Sequence, residues 1–423
     1  MKIFSGGEGV FTLFDPKKQR LPIKIWLKSV EEIETDCLNQ ALNLSNLPFA
    51  FQHIALMPDT HVGYGMPIGG VLATTDVIIP NAVGVDIGCG MSFVATDVEY
   101  KVLETTTRNG LTLKEHLVNK LLEKIPTGFS HRKKDVPSSL IDDFKTQAAK
   151  DKALVPNLVK ELDAAYKQLG TLGGGNHFIE IQRDEEDKLC LMVHSGSRNI
   201  GYKIAETFNN IAKANYSKWA HPDFNTSSNL WYLPIDSKEG ETYLRWLNFA
   251  LSFARDNRAL MQKIVLSKLE ETLKLAGINS FSITMSANAH HNYAALEKHF
   301  GQSVWVHRKG AIRANKGEYG IVPGAMGRPS YIVSGLANSD AFNSAPHGAG
   351  RVLSRKAARR TFDAKELATE LDKRGVLLGV SRVKNVIDEH FRAYKPIDEV
   401  MENAKDLVEP IKKVEAIAVI KGD

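Results

Sequence analysis

The stretch Gly84-Val-Asp86-Ile-Gly88-Cys89-Gly90-Met91-Ser-Phe93-Val-Ala95-Thr-Asp-Val98 decides the fold class. Its first half is a glycine-punctuated turn that carries a carboxylate and a thiol. Its second half, Met91 to Val98, has the β-branched and aromatic content of a strand. Upstream, Gly70 to Thr75 and His53 to Met57 also read as short strands, and the spacing of Ile33, Cys37, Ala41 and Leu44 predicts a helix over Val30 to Leu44. Downstream, Leu111 to Lys124 reads as an amphipathic helix, and helical patterns return at Leu158 to Leu169, Ile204 to Trp219 and Glu241 to Leu275. The last is long enough for either an antiparallel hairpin or one extended helix. Ile283 to Val352 reads as strands and glycine loops; helices resume from Ala364 to the end, with a short apolar strand, Ala416 to Ile420, before Lys421. Mixed elements without regular βαβ alternation predict an α+β fold rather than a doubly wound sheet. No repeat, linker or low-complexity tract divides the chain, so one large irregular domain over residues 1–423 is expected.

Composition bounds the function. A chain of 423 residues with 43% hydrophobic and 24% charged side chains can bury a sizeable core, which excludes intrinsic disorder and collagen-like repeats. A net charge of +5 is compatible with a polyanionic partner, yet so modest an excess is more often a matter of solubility. The stretch Met1-Lys-Ile-Phe-Ser-Gly-Gly-Glu8 lacks the apolar core of a signal peptide, and no run approaches the roughly 18 residues of a membrane span, so a cytoplasmic location is expected. Cys37, Cys89 and Cys190 are too scattered for a disulfide framework, and no Cys-x-x-Cys pair suggests a zinc ribbon.

The chemistry-bearing residues sit beside glycines. Asp86 and Cys89 are spaced so that a carboxylate and a thiolate can face one ion, although a lone cysteine in an apolar turn is more often a small buried hydrophobe. His177, in Gly173-Gly-Gly-Asn176-His177-Phe178, and His194, in Leu191-Met-Val-His194-Ser195, fall at strand ends, where an imidazole either binds a ligand or simply hydrogen-bonds its neighbours. Adjacent His290 and His291 point to different sides of any regular element, so one of them is expected to be structural. Asp86, Cys89, His177, His194 and one of this pair together suffice for two ions sharing the thiolate. Asp59 and His61 would project to one face of an extended segment, as an acid/base pair or as a turn cap beside a surface histidine. His347 precedes Gly348-Ala349-Gly350-Arg351, where backbone N–H groups can approach phosphate beside a guanidinium and the imidazole can attack phosphorus. Gly324 and Gly327, in Pro323-Gly-Ala-Met326-Gly327, allow a second close approach; both runs otherwise read as tight turns. There is no Walker A motif, no Lys-x-Asp-Gly signature and no His-Glu-x-x-His motif; if the protein activates phosphate, histidine is the better nucleophile candidate.

In order, Pro58-Asp-Thr-His61, Gly84 to Met91, Gly175-Asn-His-Phe-Ile-Glu180, His194-Ser-Gly-Ser-Arg198, His290-His-Asn292, Pro323 to Met326 and His347 to Arg351 resemble the RtcB RNA-ligase family over nearly the whole chain, at a length similar to bacterial members. The resemblance implies a GTP- and manganese-dependent ligase that joins RNA ends bearing a 2′,3′-cyclic phosphate or 3′-phosphate to a 5′-hydroxyl. It also implies an α+β fold around a central metal and nucleotide cleft. Carried over by motif, Cys89 bridges two Mn2+ ions, with Asp86 and His177 on one and His194 and His291 on the other. His291 is preferred to His290 because Asn292 follows it. Manganese comes from the resemblance alone, since a thiolate among imidazoles suits zinc as readily.

By the same resemblance His347 attacks the GTP α-phosphate, giving a histidine–GMP adduct and pyrophosphate. The RNA 3′-phosphate, formed by hydrolysis of any cyclic phosphate, takes the GMP, and the 5′-hydroxyl displaces it. Glu180 reads guanine, while Asn176, His291, Asn292, Pro323, Gly324, Ala325, Met326, Ser330, Gly348, Ala349, Gly350 and Lys421 complete the nucleotide pocket. Asp59 is expected to assist 5′-hydroxyl activation. Arg198 and Arg351 are expected on RNA phosphate, with Arg308, Lys309 and the His131 to Lys134 cluster as further candidates, although a solvated loop is the plainer reading of that cluster. An activating protein of the archease type is a candidate partner. Two rival readings are a metal-dependent RNA phosphoesterase and a noncatalytic RNA-binding paralogue; retention of His347, Glu180 and Lys421 argues against both. One departure from the family pattern is Ala345-Pro346 before His347, where many relatives have a small or polar residue and then serine. Proline fixes that approach and donates no hydrogen bond, so the rate of adduct formation is expected to differ.

Overall fold

The computed structural model describes residues 2–5, 9–380 and 382–422; Met1 and Gly6 to Glu8 of the N-terminal stretch lie outside them. Two sheets carry the architecture. A seven-stranded sheet runs in the order Lys2–Ser5, Phe11–Phe14, Ile23–Ile25, Ala50–His61, Ile68–Thr74, Gln302–Lys309, Asn292–His299. Its neighbours are antiparallel except Ile23–Ile25 beside Ala50–His61. The second sheet runs Ile283–His290, Gly90–Glu99, Lys188–Ser195, Phe178–Asp184, Val408–Lys421, Ser330–Gly335, Tyr319–Val322, and Leu377–Gly379 pairs in parallel with Val408–Lys421. Its first and last strands lie against each other, so the sheet curls around an interior that includes Met91, Phe93, Phe178, Met192, Ile332 and Val419.

Period-two alternation sends the other residues outward. Ile179, Ile181, Leu189, Leu191 and Val193 pack under the helices Leu113–Lys124 and Lys238–Lys274. Both faces are therefore covered, and Leu189 to Val193 reads as a continuous apolar run rather than an alternating one. The mixed, largely antiparallel arrangement is α+β, as the lack of regular βαβ alternation in the sequence predicts.

Several boundaries differ from the sequence reading. Residues 30–32 form a 3-10 turn capped by Ser29, and the α-helix begins only at Thr35 and ends at Ser45. Glu241 to Lys274 belongs to one 37-residue helix, Lys238–Lys274, capped by Leu275, because neither proline nor an interior glycine interrupts it after Gly240. The C-terminal segment is not helical throughout. Ala364–Lys373 and Ile397–Asn403 are helices, 3-10 turns cover Val383–Glu389 and Phe391–Ala393, and the final strand spans Val408–Lys421. The reading missed the first half of that strand because Glu409, Lys412 and Lys413 break its apolar pattern, although Lys412 is bonded to Asp184 across the sheet.

The sheets meet at one residue. His291 lies between Ile283–His290 of the curled sheet and Asn292–His299 of the other. Around that junction gather the turn before Gly90–Glu99, the turn before Phe178–Asp184 and the small sheet pairing Ala311–Arg313 with Ser344–Pro346. No helix among the described residues is long and apolar enough to cross a membrane.

Candidate active site

Ligand-type atoms converge at the junction in two groups, Asp86–Cys89–His177 and Cys89–His194–His291, each with all atoms within 4.8 Å of one another. Cys89 belongs to both. Its Sγ lies 3.4 Å from His177 Nε2 and 3.2 Å from His194 Nε2, and His194 Nε2 lies 3.3 Å from His291 Nε2. Backbone carbonyls set the imidazole tautomers: His177 Nδ1 donates to Leu172 O (3.0 Å) and His194 Nδ1 to Asn176 O (3.1 Å), which leaves each Nε2 with a lone pair. His177 Nε2 then faces Asp86 Oδ2 at 3.0 Å. Imidazole nitrogens, a thiol and a carboxylate packed this closely need protons or a cation between them, and carboxylate, thiolate and neutral imidazoles are the donor set of a divalent transition metal.

Electrostatics agree with that reading. Burial pushes the Asp86 carboxyl up, but the charge and hydrogen bond of His177 when its Nε2 carries a proton, in the place a cation would take, outweigh it and hold the group down at about 2. Burial drives His194 and His291 well below the usual imidazole range, keeping both neutral. Burial and the Asp86 charge push the Cys89 thiol up; direct coordination is the interaction that deprotonates such a thiol.

The long helix braces this turn. Fully buried Arg258 donates to Gly88 O (2.8 Å), Ser195 O (3.0 Å) and Asn288 Oδ1 (2.8 Å). Its neighbour Asn257 accepts from the N–H of Gly170 and donates to Gly196 O. Gly196 has no room for a side chain, since an added Cβ would fall 2.1 Å from Asp86 Oδ1. His290 bonds Gly88 O and Arg258 and stays out of both ligand groups, so it is the structural member of the histidine pair.

His347 stands next to the ligands, its ring centroid 4.8 Å from that of His291. Asp59 Oδ2 accepts from both the His347 backbone N–H (3.0 Å) and ring Nδ1 (2.6 Å), which directs Nε2 away from Asp59. The expected pairing of the Asp59 and His61 side chains is thus replaced. Asp59 turns to His347, while His61 Nδ1 bonds only the Asp59 carbonyl. Gly350 makes the approach possible, with φ +72 and an added Cβ that would meet Asp59 O at 2.3 Å. Lys395 holds both partners: Nζ donates to Pro58 O (2.9 Å) and Thr60 O (3.2 Å) on either side of Asp59, and its N–H donates to Gly350 O. Pro346 sits opposite Ala311 at the end of its short strand, so its fixed φ leads straight into the His347 turn.

A pocket opens in front of His347. Of the expected nucleotide residues, Asn176, Glu180, Pro323, Gly324, Ala325, Met326, His347, Gly348, Ala349, Gly350 and Lys421 line it. Ser330 lies behind, its Oγ accepting from the N–H of Gly324. Asn292 is also a support, donating to Asp86 O and accepting from the N–H of Gly310. Burial pushes the Glu180 carboxyl up to about 7, against the downward pull of Gln182 and Lys421. Lys421 Nζ bonds Glu389 (3.1 Å) and lies 5.7 Å over the Phe178 ring.

Sequence reasoning missed Glu389, Tyr394 and Arg355, which also line the pocket. Glu389 is buried, and the cations Lys421, Arg355 and Arg351 overcome that burial and hold its carboxyl at about 2. No local motif marks it. Asn257, Arg258 and Lys395 were missed too, because their partners, most of them backbone groups, lie far away in sequence.

The basic candidates separate. Arg308 is fully buried in a two-pronged pair with Glu297, and Lys309 is buried on Tyr64 O and Asn81 O, so neither is available to RNA phosphate. Burial accounts for the fall of Lys309 to about 7. Arg351 lines the pocket, yet its nitrogens are engaged by Leu353 O, Asp388 O, Glu389 and Tyr394. Arg198 bonds Thr171 and Gly128 O close to Asp86. Of the cluster after Phe129, Arg132 is tied to Leu169 O and Gly170 O, while His131, Lys133 and Lys134 are exposed.

Comparison with known proteins agrees with the resemblance carried by the motifs. The family model described as tRNA-splicing ligase RtcB matches residues 40–422. The chain is 37% identical to the RNA-splicing ligase RtcB of Escherichia coli K12 over 96% of its own length and 98% of that protein. Against the tRNA-splicing ligases RtcB of Nanoarchaeum equitans and Thermococcus kodakarensis it is 32% and 30% identical, over 96% of both chains in each case. The converging cysteine, histidines and carboxylates at the sheet junction thus stand in a chain that belongs to the RtcB family of RNA-splicing ligases.

Proposed function

We propose that the whole chain acts as one catalytic domain that joins RNA 2′,3′-cyclic phosphate or 3′-phosphate ends to 5′-hydroxyl ends, using GTP and two Mn2+ ions. The observation that carries this reading is the position of His347: bonded through Nδ1 to Asp59, beside His291, and lining one pocket with Glu180 and Lys421.

Asp86, Cys89 and His177 would hold one ion, and Cys89, His194 and His291 the other. Bound there, the metals would supply charge neutralisation for phosphate and orientation of the attacking oxygen. Asp59 holds the Nδ1 proton of His347 and frees Nε2 as the nucleophile, so Asp59 positions that histidine rather than activating the 5′-hydroxyl. Nε2 attacks the α-phosphorus of GTP, the Nε2–P bond forms, and the bond to pyrophosphate breaks. A 2′,3′-cyclic end is first hydrolysed by water to the 3′-phosphate; an oxygen of that phosphate attacks the GMP phosphorus and displaces the imidazole, and the 5′-hydroxyl then attacks the 3′-phosphate phosphorus and displaces GMP. Glu180 accepts from N1–H and the exocyclic amine of guanine, with Lys421 beside it. The backbone N–H groups of Gly348 to Gly350 face the phosphates, and Arg198 serves RNA phosphate near Asp86. The reaction is placed in the cytoplasm, with an archease-type protein as the candidate activator.

The test is incubation with α-labelled GTP and Mn2+, followed by RNA with matched ends. A covalent label on the native protein that disappears in His347→Ala and is chased by RNA into a joined product is expected. Absence of label, or a label retained in that variant, sinks the mechanism. Phosphate release from cyclic-phosphate RNA without joining supports the phosphoesterase instead.

A further inference from the structure

Phe129 is 100% exposed, whereas the next most exposed large apolar side chain among the described residues, Leu275, is 60% exposed. A scattered surface hydrophobe is ordinary; a completely exposed phenyl ring on a pinned backbone is not. The segment around it is fixed from three directions. Gly128 N–H donates to Gly173 O (2.9 Å), and Arg198 Nη2 donates to Gly128 O (3.3 Å). Arg132 is held by Leu169 O and Gly170 O, and its own N–H bonds Lys167 O. Gly422 closes the third side, so near that an added Cβ would lie 2.9 Å from Gly128 N.

These anchors tie the backbone that carries the ring to segments that lead into the candidate active site. Gly173 begins the run that leads to Asn176 and His177, Gly422 follows Lys421, and Arg198 adjoins Asp86. The residue before Phe129 is therefore hydrogen-bonded to the segment that leads to His177 and packed against the residue that follows Lys421. Exposed His131, Lys133 and Lys134 follow it. An exposed aromatic face next to ammonium groups is how single-stranded nucleic acid is bound without sequence readout: a base stacks on the ring and the cations meet the backbone.

We propose that Phe129, with Lys133 and Lys134, is a stacking platform for an unpaired nucleobase of the RNA strand whose end enters the site. This rests on the reading of the site as an RNA-joining centre. The platform holds the strand and takes no part in the reaction of His347 with GTP.

The experiment measures RNA binding and joining by the full-length protein with 2-aminopurine at each of the last three positions of either strand. Fluorescence quenching by the native protein is expected on one strand. In Phe129→Ala the quenching disappears and the RNA KM rises about 5- to 100-fold, while labelling of His347 by GTP without RNA is unchanged. Phe129→Tyr keeps both properties, and Phe129→Leu loses both. Unchanged KM and quenching in Phe129→Ala, or native behaviour in Phe129→Leu, overturns the proposal. The ring is fully exposed, so these variants leave the core intact. If the native protein quenches on one strand but does not join, the joining mechanism fails and the platform stands. If it joins and Phe129→Ala behaves identically, only the platform fails.

Discussion

At the scale of single residues, Asp59 carries the sharpest distinction. Its Oδ2 accepts two hydrogen bonds from His347, so the carboxylate fixes both the ring and the loop that bears it. Asparagine has the same shape but can present an amide N–H where the structure needs an acceptor. Asp59→Asn is expected to fold normally and to slow His347 labelling by about 10²-fold or more, the scale of a misplaced acid/base partner. Joining of RNA supplied with a preformed GMP-activated 3′ end bypasses His347 and is expected to be nearly unaffected. A comparable loss in that bypass reaction would return Asp59 to activation of the 5′-hydroxyl. Glu180 makes a second prediction, through pH. Burial raises its carboxyl to about 7, so the empty pocket holds a proton at pH 6 that must leave before guanine N–H groups can be accepted. GTP affinity should rise as pH increases through about 7 and level off above it, with proton release on binding near neutrality. Calorimetry in buffers of different ionisation enthalpy checks this; a flat profile, or the same proton release in Glu180→Gln, refutes it.

At the scale of elements, the helix Lys238–Lys274 does more than cover a sheet. Arg258 binds the carbonyls of Gly88 and Ser195, which flank the Cys89 turn and follow His194. Burial lowers its guanidinium to about 10, still charged at neutral pH. Arg258→Met would leave those buried acceptors unpaired, at a cost of about 3 kcal/mol or more. Urea denaturation should show that loss, and Mn2+ affinity should fall with it; native values for both would mean that the helix does not organise the turn. The sequence shows the helix plainly and hides this task. Apolar periodicity marks its buried stripe, but nothing local tells that one arginine on it reaches across to a glycine turn. The candidate ligands Asp86, Cys89, His177 and His194 and the candidate nucleophile His347 were legible for the opposite reason: each stands in a glycine turn or at a strand end, where local pattern is informative. The residues alone left His290 and His291 open, and only the family motif with Asn292 favoured His291; in space the difference comes from the crossing between sheets at that residue. Arg308 and Lys309 misled because a basic pair at a strand end looks the same in sequence whether its charges are solvated or buried on Glu297 and carbonyls.

At the scale of the whole molecule, the candidate ligands bring together distant parts of the chain. Asp86 and Cys89 precede one strand of the curled sheet, His177 another, His194 ends a third, and His291 is the link to the second sheet. Ions bound there connect segments that the unfolded chain does not hold together, so they stabilise the native state by RT ln(1 + [M]/Kd) per site, about 2.7 kcal/mol at a hundredfold excess over Kd. Chelation should therefore lower Tm measurably. The two-group geometry makes a stricter prediction, because Cys89 is common to both groups while His177 belongs to one. His177→Ala should retain one tightly bound Mn2+ and about half of the metal-dependent stabilisation. Cys89→Ser, a far smaller change in volume, should lose both ions and nearly all of it. Metal content after gel filtration and melting curves with and without chelator give the two readouts together. If Cys89→Ser kept one ion, or His177→Ala lost both, the thiolate would not be the bridge, and the sites would depend on each other through the fold instead of through a shared ligand.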